Sequence, residues 1–208
     1  MKKVSLIVTG LVFIANMALA GDEKPLYKDK NIPIEQRVED LLGRMTLEEK
    51  VWQMQNKPNS NIDEVEKTFD GRSFGTTHEM GKSAQECASI FYKTQQYMLD
   101  NTRLGIPLLT AAEGIQGILQ NECTLFPHAI AQGSTFNPVL IQRMTEAAGD
   151  EARVIGIRQV LSPVLDIARE LRWGRVEETF GEDPYLIAEM GIGFVLSLIH
   201  ISEPTRLD

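Results

Sequence analysis

The chain has 208 residues, 43% of them hydrophobic and 24% charged, with a formal net charge of −8 from 21 basic and 29 acidic side chains. Those proportions exclude a disordered or fibrous chain and fit a globular protein with a sizeable core. The acidic balance, with no basic cluster in the body of the chain, argues against nucleic acid as a partner.

The first twenty residues stand apart. A basic "MKK", an apolar "VSLIVTGLVFIANM" and small residues at Ala18-Leu19-Ala20 have the layout of a secretory signal peptide. The apolar run is short for a membrane span, so residues 1–20 are read as a cleaved leader, with an uncleaved anchor as the alternative. An exported, periplasmic or secreted protein without stable membrane insertion after cleavage is the resulting expectation. Cys87 and Cys123 are then the two cysteines of an exported chain. They lie far apart, and Cys87 falls on the apolar face of a helical pattern, so free thiols and no bridge are expected. The three histidines, His78, His128 and His200, show no metal-ligand spacing. No metal and no cofactor are expected.

In "NIPIEQRVEDLLGRM", Ile34, Val38, Leu41, Leu42 and Met45 recur at three- and four-residue steps, which predicts a helix with one apolar stripe. Thr46 followed by Glu49 is a capping-box pattern that restarts a helix carrying Leu47, Val51 and Met54. Residues 56–81 contain Pro58, Gly71, Gly75 and Gly81 and read mostly as loop, with a short strand around Arg72–Thr76. Ser83 caps a long amphipathic helix with Ala84, Cys87, Phe91 and Met98 on one side. The apolar run from Leu104 to Ala112 predicts a strand buried on both faces, although Pro107 weakens its pairing. Asn137 as cap, Pro138 at the first helical position and Gly156 at the end delimit another helix. A second buried strand follows at Val160–Ile167.

Helix, strand, helix, strand is the signature of an α/β fold with parallel strands, either a (β/α) barrel or an open doubly wound sheet. In both, functional residues gather at the C-terminal ends of strands, where Glu113 and Arg169 stand. The loop after Asp166 also holds Glu170, Arg172, Trp173, Arg175, Glu177, Glu178, Glu182 and Asp183. Arg172, Arg175, Glu177 and Glu178 are read as local ion pairs that stiffen the loop, with Trp173 and Phe180 packed beneath. Arg169 lies just past the strand end, where its fork of donors suits vicinal hydroxyls, and Glu113 offers two acceptors. The two residues form a saccharide site or a purely structural pair; their chemistry alone leaves both open.

At these residues the chain becomes recognisable. "RVEDLLGRMTLEEKVWQM", "RLGIPLL…AEGIQG", "TLFPHAIAQGSTFNPVLI" and "EARVIGIRQVLSPVLDIARELRWGRVEETFGEDPYLIAEMG" together resemble glycoside hydrolase family 3, over residues 34–195. The resemblance implies a TIM-like (β/α)₈ barrel, followed in full-length members by an α/β sandwich domain. It also implies exo-acting, retaining removal of a terminal β-linked sugar from an oligosaccharide or glycoside. Glu113 then matches the acidic residue that binds hydroxyls of the terminal sugar, and Arg169 matches an arginine contacting the same ring. Gln116 and Leu171 depart from the family pattern, where histidine and proline are common. The family's nucleophile and acid/base motifs and its Lys-His pair are not found in this chain, and Glu113 does not replace them. The organisation read from the sequence is a signal peptide over 1–20, an N-terminal portion of the barrel domain over 21–195, truncated at about half, and a non-family tail over 196–208. That tail, "LSLIHISEPTRLD" with its junction near Leu196, resembles translated sequencing-adaptor sequence and is expected to add little to the core. A non-catalytic sugar-binding half-barrel is the alternative reading.

Overall fold

The computed structural model describes residues 25–59 and 61–198, which divide into two compact units meeting at Lys50 and Val51. The signal-peptide segment and the tail beyond Leu198 lie outside the described residues.

In the first unit a 3-10 turn at Leu26–Lys28 precedes helix α1, Ile34–Arg44. Asp40 joins the two: its carboxylate accepts from the Tyr27 backbone N–H at 3.1 Å and pairs with Arg44 one turn on at 2.9 Å. The hydrogen bond from Arg44, with help from the Tyr27 N–H, holds the Asp40 carboxyl below its ordinary range. The apolar stripe specified this helix, yet Ile34 is 68% exposed, and Val38 and Leu42 are exposed too. Thr46 and Glu49 form the expected reciprocal cap, Thr46 N–H to Glu49 Oε2 at 2.9 Å and Glu49 N–H to Thr46 Oγ1 at 3.2 Å. It opens helix α2, Leu47–Gln53.

The second unit is built on a parallel sheet in the order β1-β2-β3: Thr76–His78, Leu109–Ala112 and Gln159–Val160. Thr77 pairs with Thr110, and Ala112 with Val160. Helix α4, Ala84–Asn101, connects β1 to β2; α5, Ala129–Gly133, and α6, Pro138–Ile155, connect β2 to β3; α7, Pro184–Leu198, follows. The caps are those read from the sequence. Ser83 and Glu86 form a capping box on α4, Asn137 caps α6, and Gly156 ends it at φ 91°.

Each strand is shorter than its apolar run, for an identifiable reason. The Leu108 N–H donates to Gln95 Oε1 at 2.9 Å, and its carbonyl accepts from Gln95 Nε2 at 2.6 Å, so a side chain of α4 occupies the groups the ladder would use. β1 begins at Thr76 and not at Arg72, because the Gln53 side chain binds the Ser73 and Phe74 carbonyls. Gly75 lies where an added Cβ would stand 1.9 Å from the Gln53 carbonyl oxygen. β3 ends at Val160 and not at Ile167. Leu161 N–H still donates to the Ala112 carbonyl at 2.9 Å, but Pro163 has no N–H to continue with. Where a loop was expected, Ile62–Glu64 and α3, Val65–Phe69, form two short turns of helix. Asn61 caps the first, and Val65 and Phe69 bury against Phe74, Met98 and Leu108. Two apolar residues four apart in a charged stretch gave too little periodicity to show it.

Side chains alternate across the sheet. Ala112 packs with Cys87, Phe91, Ala148, Ala152 and Ile155 of α4 and α6, so Thr110, Ala112 and Val160 face the helices. Leu109, Ala111 and Glu113 take the other face with their register partners Thr76, His78 and Gln159. That face is partly open: Leu109 is 41% exposed. Burying Phe91 or Met98 on the helix side contributes about 1.5–3 kcal/mol each. A further cluster joins α5, α6 and α7 through Ala129, Ile141, Phe180, Ile187, Met190 and Phe194. The expected loss of core contact after Leu196 does not begin there, since Ser197 is buried and Leu198 packs against two clusters as the helical period continues. Cys87 and Cys123 are free thiols, as expected. Burial, then the charge of Glu79, pushes the Cys87 thiol up to about 12.

Candidate functional site

Glu113 is the first residue after β2 and is half-buried. Its position is set by the neighbouring strand: a Cβ on Gly114 would stand 2.2 Å from Val160 Cγ1, so only glycine allows the end of β2 to lie this close to β3. Its carbonyl accepts from the Leu119 N–H at 3.1 Å, closing the first turn of the following loop. Farther along, Gly117 has φ 98°, and an added Cβ would lie 2.2 Å from the Thr124 carbonyl oxygen. The Thr124 N–H and hydroxyl both donate to the carboxylate of Glu151 on α6, the hydroxyl at 2.6 Å.

The loop after β3 is organised differently. The Ala168 N–H donates to the Gly181 carbonyl at 3.0 Å and closes it, while Ala168, Thr179 and Phe180 are buried at its base. Phe180 lies beneath the loop as expected. Trp173 does not: it is 36% exposed, on the bend at residues 171–175, away from the closing contacts. The charges form two separate local pairs. Arg172 grips Glu170 bidentately at 2.8 and 2.7 Å, which lowers the Glu170 carboxyl to about 2. Arg175 grips Glu178 through Nε at 3.0 and 2.9 Å and through Nη2.

Arg175 has a second environment. The hydrogen bond and charge of Glu178 chiefly raise its pKa, and the negative charges of Glu113 and Asp166 add to that effect against some desolvation. Glu178 is held below its ordinary range by Arg175 first, and the charge of His128 also lowers it. The charges of Glu113 after β2 and Asp166 after β3 thus act weakly on Arg175, whose direct partner is Glu178. Arg169 is exposed, and among the described residues its side chain makes no hydrogen bond or ion pair, with Glu113 or otherwise. Sequence reasoning placed Arg175 with the scaffold; the three-residue step to Glu178 showed the pair but not what lies on its other side. Among the described residues, the buried atoms His78 Nε2 at the end of β1 and Gln116 Oε1 three residues after Glu113 have no hydrogen-bond partner. A half-exposed acceptor carboxylate at a strand end, with an arginine-rich loop after the neighbouring strand, can bind a polyhydroxylated ligand.

The model of the glycosyl hydrolase family 3 N terminal domain matches residues 46–200. A putative beta-xylosidase of Formosa agariphila is 32% identical over 203 residues, covering 91% of this chain and 27% of that protein. A periplasmic beta-glucosidase/beta-xylosidase of Dickeya chrysanthemi is 29% identical over 213 residues, covering 92% of this chain and 32% of that protein. A solved β-glucosidase from Erythrobacter marinus superimposes with a TM-score of 0.73 at 30% identity, over 84% of this chain and 24% of that one. The chain thus spans about a third or less of the length of the relatives it matches. The parallel strands, their helical connections and this likeness describe part of a TIM-like barrel. With its family model matched over three-quarters of its length, the chain belongs to glycosyl hydrolase family 3.

Proposed function

We propose that the chain carries part of the sugar subsite of an exported, retaining, exo-acting β-glycosidase of β-glucosidase type. The observation that carries this reading is the placement of Glu113 directly after β2 and of Asp166 and Arg169 in the loop after its parallel neighbour β3, at the C-terminal ends of the two strands. Glu113 accepts hydrogen bonds from hydroxyls of the terminal sugar. Arg175, fixed by Glu178, supplies a directed donor. Arg169, by its motif, contacts the same ring from the rim of the loop. The nucleophile and the acid/base belong to residues outside this chain, so its 208 residues alone bind sugar weakly and do not turn it over. The names of the relatives, which include both glucosidase and xylosidase and in one case periplasmic, support a β-linked glycoside as substrate and export as destination. The basic, apolar and small-residue order of residues 1–20 supports the same destination.

The test is kinetic, in the whole protein, with aryl β-glucoside and β-xyloside as substrates. Glu113→Ala and Arg175→Ala should each lower kcat/KM about 10- to 150-fold, as expected for a lost charge-assisted contact to the reacting sugar. Arg169→Ala should also lower it, by a smaller factor, because nothing among the described residues holds that side chain. Unchanged kcat/KM for Glu113→Ala would overturn the proposed subsite. Binding of the glycoside without any turnover by the whole protein would favour the non-catalytic reading.

A further inference from the structure

Beneath the open rim of the site lies a buried polar node that the sugar-binding reading does not use. Glu79, 3% exposed, follows β1 and turns toward the helix layer. Its Oε1 accepts from the Asn59 N–H at 2.9 Å, and Asn59 Nδ2 donates to Thr94 Oγ1 of α4 at 3.3 Å. Gln120, 6% exposed, closes the node from the loop after β2. Its Nε2 donates to the Glu79 carbonyl at 2.7 Å, and its Oε1 accepts from the Lys82 N–H at 3.1 Å. Both polar ends of one amide are thus spent on the loop that follows the neighbouring strand. Immediately before it, the Leu119 carbonyl accepts from the Gly81 N–H at 3.2 Å, and the Leu119 N–H donates to the Glu113 carbonyl at 3.1 Å. Gln120 thus holds the loop after β1, and its chain neighbour Leu119 holds the peptide of Glu113, so the two anchor points are one residue apart.

We propose that Gln120 is a positioning residue for Glu113. By clamping the loops after β1 and β2 together it fixes the peptide from which the Glu113 carboxylate is aimed at the sugar. The inference rests on the reading of Glu113 as a sugar-binding residue. Its physical basis is that a buried amide with both ends paired has one low-energy placement, so the loop on which it sits has few alternatives. Small displacements of a contact residue are costly in catalysis even when the fold survives.

A double-mutant cycle in the whole protein, followed by kcat/KM on an aryl β-glycoside, tests it. Gln120→Met keeps the length and removes both hydrogen bonds; it should lower kcat/KM about tenfold. In the Glu113→Ala background the same change should cost almost nothing, because the residue it positions is gone. Native-state hydrogen exchange should show the Leu119 and Gly81 amides exchanging about tenfold faster in Gln120→Met, with the α6 amides unaffected. If Gln120→Met does not fold, Gln120→Glu keeps the Lys82 contact, loses only the donor to Glu79, and is carried through the same cycle. An equal loss in both backgrounds, or no loss in the first, overturns the positioning role while leaving the sugar-binding role of Glu113 standing. A Glu113→Ala variant with full activity removes the underlying reading, and this inference with it.

Discussion

The two loops that border the candidate site are held by opposite means. The loop after β2, residues 113–128, is tied to distant parts of the chain: Gln120 to Glu79 across 41 positions and Thr124 to Glu151 across 27. The loop after β3, residues 161–183, carries more charge, yet its ion pairs join residues two or three positions apart. Long-range ties restrict where the backbone goes, and so they set the placement of Glu113. Local pairs restrict side chains, and so they set where Arg175 points while leaving the path of the loop to its buried residues Ala168, Thr179 and Phe180. Charge density is therefore a poor guide to which loop is the more firmly placed.

The comparison predicts unequal costs of disruption. Gly117→Ala should be the most damaging change, about 3 kcal/mol or more, because a side chain there meets the Thr124 carbonyl at φ 98°. Urea unfolding measures it, and a stability within about 0.5 kcal/mol of the parent would show that this loop is looser than its ties suggest. Glu151→Ala comes next. It leaves the Thr124 N–H and hydroxyl without their carboxylate and should cost about 1 kcal/mol by the same measurement.

Arg172→Ala should be the smallest effect, with no detectable change in unfolding, because both partners of the pair are exposed. Its signature lies in titration. The hydrogen bonds from Arg172 lower the Glu170 carboxyl from 4.5 to about 2. A lowered carboxylate contributes stability above its unfolded value and loses it as pH falls through the folded value, and at so exposed a pair solvent screening keeps that contribution below what unfolding resolves. Carboxyl-carbon NMR should place the parent midpoint below the ordinary carboxylate value and return it toward 4.5 in Arg172→Ala. A Glu170 midpoint unmoved by the substitution would mean the pair is not formed in solution, and the contrast between the loops would be sharper still.

Much of the local architecture was readable from the sequence. Ser83, Asn137, Pro138 and Gly156 bound their helices because caps act over three or four residues and need nothing from elsewhere. The alternation of helix and apolar run was enough for an α/β fold, and four motifs in order were enough for the family. Strand ends were not readable. They depend on whether a side chain such as Gln95 or Gln53 claims the backbone groups first, and those donors come from other elements. The same limit applies to the site. The sequence presented Glu113 at a strand end, but could not say which of the three arginines in the loop after β3 shares its field. Arg175 occupies that place because Gly114 lets β2 close on Val160 and Glu178 turns the guanidinium, a matter of distances between strands that no spacing along the chain encodes.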